Sequence, residues 1–409
     1  MNKHSPAMAY LVSCYPAVSH TFILREIQGL RALGHTIFTA SINAPDRVHE
    51  AMEAYEKQEA ENTFFVKAQG ALGALMALLY WCSRSPGSLW RTLRLGVGLG
   101  KNGSWLYGLA YVAEAALVAR WMRQHDLRFL HVHFGSVGAT VGVLVKQLTN
   151  CHLSYTIHGP DEFDDVFGQH LPLKMQEADS VVCISQFAKG QLMRISHPDN
   201  WPKIQVCRLG VDPAQFTYSV RQLNKSPVEL LCVGRLSSAK AQILIVQACA
   251  QLRDEGLDFA LTMVGDGPDR SRIEQAIARL KLERHVHLTG SLNQQAVRAH
   301  FARADIFVLA SLAEGIPVVL MEAMSSGVPC VSTPVNGIPE LIQHECTGLL
   351  ATPGDVPSLT AQLRRLIQEP ELRRTLAEAA HAKVLADFDL NRNVAKLGRI
   401  FTGFVAGRI

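Results

Sequence analysis

The chain alternates between strand-like and helix-like periodicity, and then starts the same alternation a second time. Ala9–Cys14 reads as a strand, Phe22–Leu33 as a helix closed by Gly34, and Thr36–Ile42 as a second strand. After an interruption the pattern resumes with Phe129–Phe134, a helix from Val137, Leu153–Ile157, Ser180–Ile184, a helix from Gln186, and Ile204–Cys207. Polar sequence around Asn224–Pro227 reads as a linker. Strands are then expected at Glu229–Val233, Phe259–Val264, Val286–Leu288, Ile306–Leu309 and Cys330–Ser332, with helices between. Such alternation builds doubly wound parallel sheets, whose ligands sit beyond the carboxyl ends of the strands. At 409 residues the chain is long for one core. Two α/β domains are therefore expected, 1–222 and 223–386, with a cleft between them. From Pro357 the chain reads as helical, with a break near Asp387–Leu390 that sets off 387–409.

Composition narrows the class. With 48% hydrophobic and 19% charged residues the chain is globular, and a net charge of +4 without a Lys/Arg-rich run gives no case for nucleic acid. Nine cysteines are scattered without C-x-x-C spacing, which suits buried reduced thiols in a cytosolic protein. The N-terminus has no signal-peptide pattern, since Met8–Tyr15 is apolar but short. No run reaches the roughly 18 apolar residues that a membrane span needs. The interruption, about 51–113, is distinctive. It has no Asp or Glu between Glu61 and Glu114, but holds Lys67, Arg84, Arg91, Arg94 and Lys101 with Trp81, Trp90 and Trp105. Cationic, Trp-bearing amphipathic sequence suits an anionic membrane surface. The alternative is a helical excursion packed on the first sheet with its tryptophans buried.

The chemistry concentrates in Glu314-Gly315-Ile316-Pro317-Val318-Val319-Leu320-Met321-Glu322. A helix is expected from about Pro317, since proline suits the first helical position. The free amides of such a helix start, beside Gly315, can hold an anion such as a phosphate. Glu322 then lies roughly 7.5 Å into the helix. Carboxylates at and beyond an anion site suit a ligand with a charged centre and hydroxyls at both ends, such as a nucleotide sugar. Gly234-Arg235-Leu236 follows the first strand of the second run, with Lys240 shortly after. Two cations there can neutralise a departing diphosphate. Gly265-Asp266-Gly267-Pro268 and Asn336–Glu340 repeat the strand–Gly–helix theme, and either can also be plain turn chemistry.

In the first run, His158-Gly159-Pro160-Asp161-Glu162 places a histidine and two acids just past a strand, as pocket residues. His131 and His133 share a strand face but have no evident third ligand for a metal. Tyr15–Phe22 is the first strand-to-helix loop and a candidate acceptor wall, in which Ser19 or Thr21 could instead be an N-cap. Asp387-Phe388-Asp389, a D-x-D sequence, follows a long helix and reads as a helix-end break, not a metal site.

Together these residues resemble the retaining glycosyltransferases of family four, with the GT-B fold. The second half carries the resemblance nearly throughout: Val233-Gly234-Arg235-Leu236 with Lys240, Val264–Pro268, Ala304-Asp305, Ser311 with Glu314 to Glu322, Gly327-Val328-Pro329, Gly337–Glu340 and Thr347-Gly348. The first half is similar to the exopolysaccharide and colanic-acid branch, through Tyr15–Glu26, His131–Phe134 and His158-Gly159-Pro160. The resemblance implies two Rossmann-like domains facing across a cleft, with the last helix crossing back to the first. It implies that Arg235 and Lys240 hold the donor diphosphate. Glu314 and the amides of Gly315, Ile316, Pro317 and Val318 (save proline, which has none) would bind sugar hydroxyls and phosphate, beside Gly234 and Gly265. Glu322 would take the ribose, and His158 would face the transferred sugar. Ser19, Thr21, Asp161 and Glu162 are candidates for the acceptor side. No cofactor and no metal are implied; the nucleotide-diphosphate sugar is a co-substrate. Three departures stand out: Ala239-Lys240-Ala241 replaces Glu-Lys-Gly, Ala310 replaces a common proline, and Pro16-Ala17-Val18 replaces a glycine-rich loop.

The expected reaction is a front-face displacement with retention, the leaving phosphate oxygen taking the acceptor's proton. A glycosidase would need two carboxylates across one bond and would leave the anion site unused. A nucleotide-sugar 2-epimerase, a phosphorylase or a binding-only protein on the same architecture are the other readings. The expected acceptor is a growing polyprenyl-diphosphate-linked oligosaccharide, with the protein peripheral on the inner face of the cytoplasmic membrane; a soluble acceptor is the alternative. The named residues contact groups common to most nucleotide sugars, so donor sugar and base stay open.

Overall fold

A computed structural model describes residues 7–17, 20–218 and 225–405. Ser19, one of the acceptor-side candidates, lies outside the described residues. The chain forms two compact units, residues 1–207 with 394–409, and residues 208–393. The strands are β1 (Met8–Cys14), β2 (Ile37–Asn43), β3 (Thr63–Phe65), β4 (Phe129–His133), β5 (His152–Ile157), β6 (Ser180–Cys183) and β7 (Ile204–Val206) in the first unit. In the second they are β8 (Val228–Val233), β9 (Phe259–Val264), β10 (Val286–Gly290), β11 (Ile306–Leu309), β12 (Cys330–Ser332) and β13 (Leu349–Leu350).

Both sheets are parallel, in the orders β3-β2-β1-β4-β5-β6-β7 and β10-β9-β8-β11-β12-β13. These are Rossmann-like arrangements, in which the chain reverses its direction of travel between β1 and β4, and again between β8 and β11. At such a switch point the loops leave for opposite faces and open a crevice at the carboxyl ends. Strands covered on both faces are largely apolar, and β4, β6, β11 and β12 are buried along their whole length.

The unit boundaries differ from the sequence expectation. The first unit ends at Cys207, not near 222, because the chain just beyond belongs to the second unit. There Val211 N–H donates to Phe388 O at 2.9 Å, and Phe216 sets its ring 6.3 Å from Phe301. The final helix, Leu390–Val405, joins the first unit from Val394, not from 387. Gly29 admits the Val394 side chain, and Phe401 and Phe404 pack on Tyr10 and Phe129.

The interruption in the first unit contains the helices Ala54–Glu61, Gly70–Arg84, Pro86–Gly98 and Trp105–Gln124, together with the edge strand β3, which the sequence reading lacked. Trp81 is buried, its Nε1–H donating to Ala116 O at 3.1 Å, so it belongs to the core and not to a membrane face. Burial of a side chain this large contributes roughly 1.5–3 kcal/mol. Trp90 and Trp105 are 69% and 56% exposed.

Candidate functional site

In the second unit the loops after β8, β9, β11 and β12 meet at the carboxyl ends. Backbone contacts hold them: Gly234 N–H donates to Val264 O at 2.9 Å, Leu236 N–H to Asp266 O at 3.0 Å, and Leu312 N–H to Ala239 O at 2.7 Å. The approach is close enough to require glycine. A Cβ on Gly265, which has φ +139°, would collide with the Gly234 carbonyl, and one on Gly337 with the Gly315 carbonyl.

These loops bring Lys240 to Glu314, Nζ to Oε1 at 2.5 Å, directly across the β8/β11 switch point. Ser311 Oγ donates to the same carboxylate oxygen at 2.7 Å. An ammonium has three N–H donors and this contact uses one, so Lys240 can hold Glu314 and an anionic ligand together. Arg235 lies on the same rim with its side chain exposed, and Gln242 Nε2–H fixes its carbonyl at 2.9 Å.

Beyond Glu314 the helix runs Val318–Ser325 with Pro317 as N-cap residue, one position later than the sequence suggests. Ile316 and Pro317 are buried, while Gly315 and Val318 are half-buried at the rim. Glu322 stands half-buried in the second turn of this helix. Glu340, after β12, pairs with Arg208 at 3.0 Å. The D-x-D acids close helix ends: Asp387 pairs with Lys383 at 2.5 Å, and Asp389 Oδ1 accepts from Arg392 N–H at 2.8 Å.

In the first unit His158 follows β5, buried between the rings of Phe22 (4.9 Å between centroids) and Phe134 (4.5 Å). Burial, followed by the neighbouring His133, His20 and His131, holds its imidazole well below the usual range. It is therefore neutral at pH 7. Its Nε2 lies 2.9 Å from His133 Nδ1, and His133 Nε2 lies 3.2 Å from Glu26 Oε1. Tyr10 OH donates to that same Glu26 oxygen at 3.0 Å.

Glu26 is thus the third group beside His131 and His133 that the sequence reading did not find. The ligating atoms of the three lie within 4.8 Å of one another. Yet both nitrogens of His131 already face hydroxyls, Ser154 Oγ at 2.7 Å and Thr156 Oγ1 at 3.0 Å. The signal for Glu26 was available: a glutamate among Ile23, Ile27 and Leu30, on the apolar face of Thr21–Ala32, must have a polar partner inside.

Among the acceptor-side candidates, Asp161 is exposed and Thr21 is half-buried as the first residue of its helix, whose N-cap residue is His20. Glu162 does not serve that role. It is buried, and its carboxylate accepts from the backbone N–H groups of His158 (2.6 Å), Gly159 (2.9 Å) and Gly135. Burial pushes its carboxyl up to about 7 even against those three donors. It ties the loops after β4 and β5 together, behind His158.

Residues 20–215 match the family model "Glycosyltransferase Family 4", and residues 217–383 match "Glycosyl transferases group 1". The chain is 29% identical to the amylovoran biosynthesis glycosyltransferase AmsK of Erwinia amylovora, over 95% of this chain and 97% of that one. It is 28% identical to the putative colanic acid biosynthesis glycosyltransferase WcaL of Salmonella typhimurium, over 95% and 98%. Among solved structures, Anabaena HepE in complex with UDP and glucose superposes with a TM-score of 0.72 at 19% identity, over 96% of this chain and 98% of that one.

Proposed function

The chain belongs to glycosyltransferase family four, and from that premise we propose that it moves a sugar, with retention, from a nucleotide-diphosphate donor to a growing lipid-linked oligosaccharide in exopolysaccharide biosynthesis. The Lys240–Glu314 pair across the β8/β11 switch point carries this reading. It sets a cation for the diphosphate beside a carboxylate for sugar hydroxyls, at the place where such sheets bind nucleotides.

In the proposed reaction the bond from the sugar's anomeric carbon to the phosphate oxygen breaks, and the bond to the acceptor oxygen forms on the same face. The acceptor's proton passes to the departing phosphate oxygen. Arg235 and Lys240 stabilise the charge that develops there, Glu314 and the rim amides at Gly315, Ile316 and Val318 hold sugar and phosphate, and Glu322 takes the ribose. His158 contacts a hydroxyl of the transferred sugar. Charge neutralisation by side chains leaves no step for a metal, so transfer is expected to survive EDTA. Lys240→Ala or Arg235→Ala should lower transfer about 10²-fold or more. Near-wild-type turnover of either purified variant at saturating donor would defeat the assignment.

The names of AmsK and WcaL support an exopolysaccharide acceptor. A surface of the first unit supports a lipid-linked one. Leu72, Leu75, Met76 and Leu79 form an exposed stripe on helix Gly70–Arg84, and the following segments carry exposed Trp90, Val97, Trp105 and Leu106 as well as exposed Arg84, Arg91, Arg94 and Lys101. No described helix is long and apolar enough to cross a membrane. An exposed apolar stripe in a segment rich in exposed cations fits the surface of an anionic bilayer, the inner face of the cytoplasmic membrane in this reading.

A further inference from the structure

Phe134, the first residue after β4, has φ +69°, and it is the bulkiest of the described non-glycine residues with positive φ. A large side chain is unfavourable there and persists only where the surroundings impose it. Phe134 N–H donates to Thr156 O at 2.9 Å. The next residue, Gly135, is gripped on both sides: its N–H donates to Glu162 Oε1, and its carbonyl accepts from Lys174 Nζ at 2.8 Å. Lys174 Nζ also donates to Ser136 O at 2.8 Å. Both charged side chains are buried, and a Cβ on Gly135 would lie 2.9 Å from Leu171 Cδ1. A buried carboxylate and a buried ammonium are costly to place, and nothing in the proposed reaction so far uses either.

The strained backbone places one ring. Its centroid lies 4.5 Å from that of His158, 4.9 Å from His20 and 6.4 Å from Phe22, and His20 and Phe22 lie 6.0 Å apart. His158 is buried, but Phe134, Phe22 and His20 are each half-buried and reach solvent. Phe134 leaves β4, while His20 and Phe22 stand where the connection from β1 enters helix Thr21–Ala32. All three are therefore at the β1/β4 switch point, where such a sheet opens a crevice. Burial holds the His20 imidazole below its usual range, so these rings are neutral at pH 7. Uncharged rings at a crevice suit the face of a pyranose, whose C–H groups meet the negative face of an aromatic ring. Phosphate and carboxylate groups are repelled by that face.

We infer that Phe134, with Phe22 and His20 beside it, is a stacking subsite for a pyranose ring, and that Glu162 and Lys174 are positioning residues that hold its strained backbone. That the pyranose belongs to a substrate of sugar transfer rests on the function proposed above; the strain and the stacking do not. The strain has its own measurement. Phe134→Gly and Phe134→Ala both lose the ring, so their difference in urea unfolding isolates the backbone. Phe134→Gly should have the higher midpoint, the reverse of the order expected at negative φ. A higher midpoint for Phe134→Ala overturns the strained backbone.

The subsite is read by 19F NMR of the full-length protein labelled with 4-fluorophenylalanine, the Phe134 signal being assigned with Phe134→Leu. The probes are methyl α-glycosides of glucose, galactose, mannose and fucose, and the uridine and guanosine diphosphate sugars with the free nucleotides beside them. Movement with a glycoside makes the stacked ring an acceptor's; movement with a nucleotide sugar but not its nucleotide makes it the donor's. A Phe134 signal unmoved by every sugar overturns the subsite. Phe134→Leu should weaken the responding sugar about threefold or more, and Phe134→Tyr should keep it. Equal affinity in Phe134→Leu would mean that no aromatic face is used. Lys174→Met should displace the Phe134 signal without ligand and weaken the same sugar; an unchanged signal and affinity overturn the positioning role. Should Lys174→Met fail to fold, Glu162→Gln serves, since its single amide oxygen cannot meet all three backbone N–H groups. A nucleotide sugar that stabilises the fold through Lys240 while Phe134 stays unmoved would strike this subsite and leave the transferase reading standing. A glycoside that moves Phe134 while no nucleotide sugar binds would do the reverse.

Discussion

Lys240 and Glu314 are 74 positions apart in the chain, yet they meet at the second unit's rim. Their importance for function lies in place, across the β8/β11 switch point. Buried histidines make a different kind of residue-scale statement. Burial, with His133 the next cause, holds His131 well below the usual imidazole range, as it does His158. The unfolded chain therefore binds protons at these positions that the folded chain refuses. Stability contributed by the neutral rings is fully present above about pH 6.5 and is lost as pH falls below it, by up to about 1.4 kcal/mol per pH unit for each ring. His131→Gln should make the acid limb of a urea-unfolding series shallower by about that amount per pH unit. An unchanged slope would mean that His131 titrates normally in the fold.

At the scale of elements, the alternation was legible because parallel strands buried on both faces are unbroken apolar runs, as in Val181–Cys183 and Ile306–Leu309. Strands β3 and β13, at sheet edges, escaped the reading. The loops of the candidate donor site were legible as strand–Gly–helix turns, but the reason for their glycines was not. Gly265 is needed because the Gly234 carbonyl lies where its Cβ would be, a contact between neighbouring strands that no local pattern displays. Gly265→Ala should cost on the order of 1–3 kcal/mol in denaturant unfolding and weaken nucleotide binding with it. A variant as stable as wild type would show that the β8 and β9 loops can part freely. Glu162 misled for a related reason: an acid beside His-Gly-Pro suggests a ligand, whereas its lone pairs are taken by three backbone amides. Trp81 misled because its helix has two faces, and composition does not say which one a tryptophan occupies.

For the molecule as a whole, each unit carries its own candidate groups at the carboxyl ends of its own sheet: Arg235, Lys240, Glu314 and Glu322 in the second, and His158 in the first. The exposed stripe on Gly70–Arg84 is the basis for the proposed membrane face. The protein is expected to float with liposomes containing anionic lipid at low salt and to lose that association at high salt. Leu75→Ser with Trp90→Ser should release it without changing turnover of a water-soluble acceptor. Protein that stays with the soluble fraction at low salt would contradict the membrane face.

The central claim, a nucleotide-sugar site built on Lys240 and Glu314, is tested most directly by thermal unfolding of the full-length protein against a panel of uridine, guanosine, adenosine and thymidine diphosphate sugars. A matching donor at 100 times its Kd should stabilise the fold by about 2.7 kcal/mol. The same donor should lose most of that effect on Lys240→Ala. Stabilisation by no member of the panel, or an equal shift in wild type and Lys240→Ala, would contradict it.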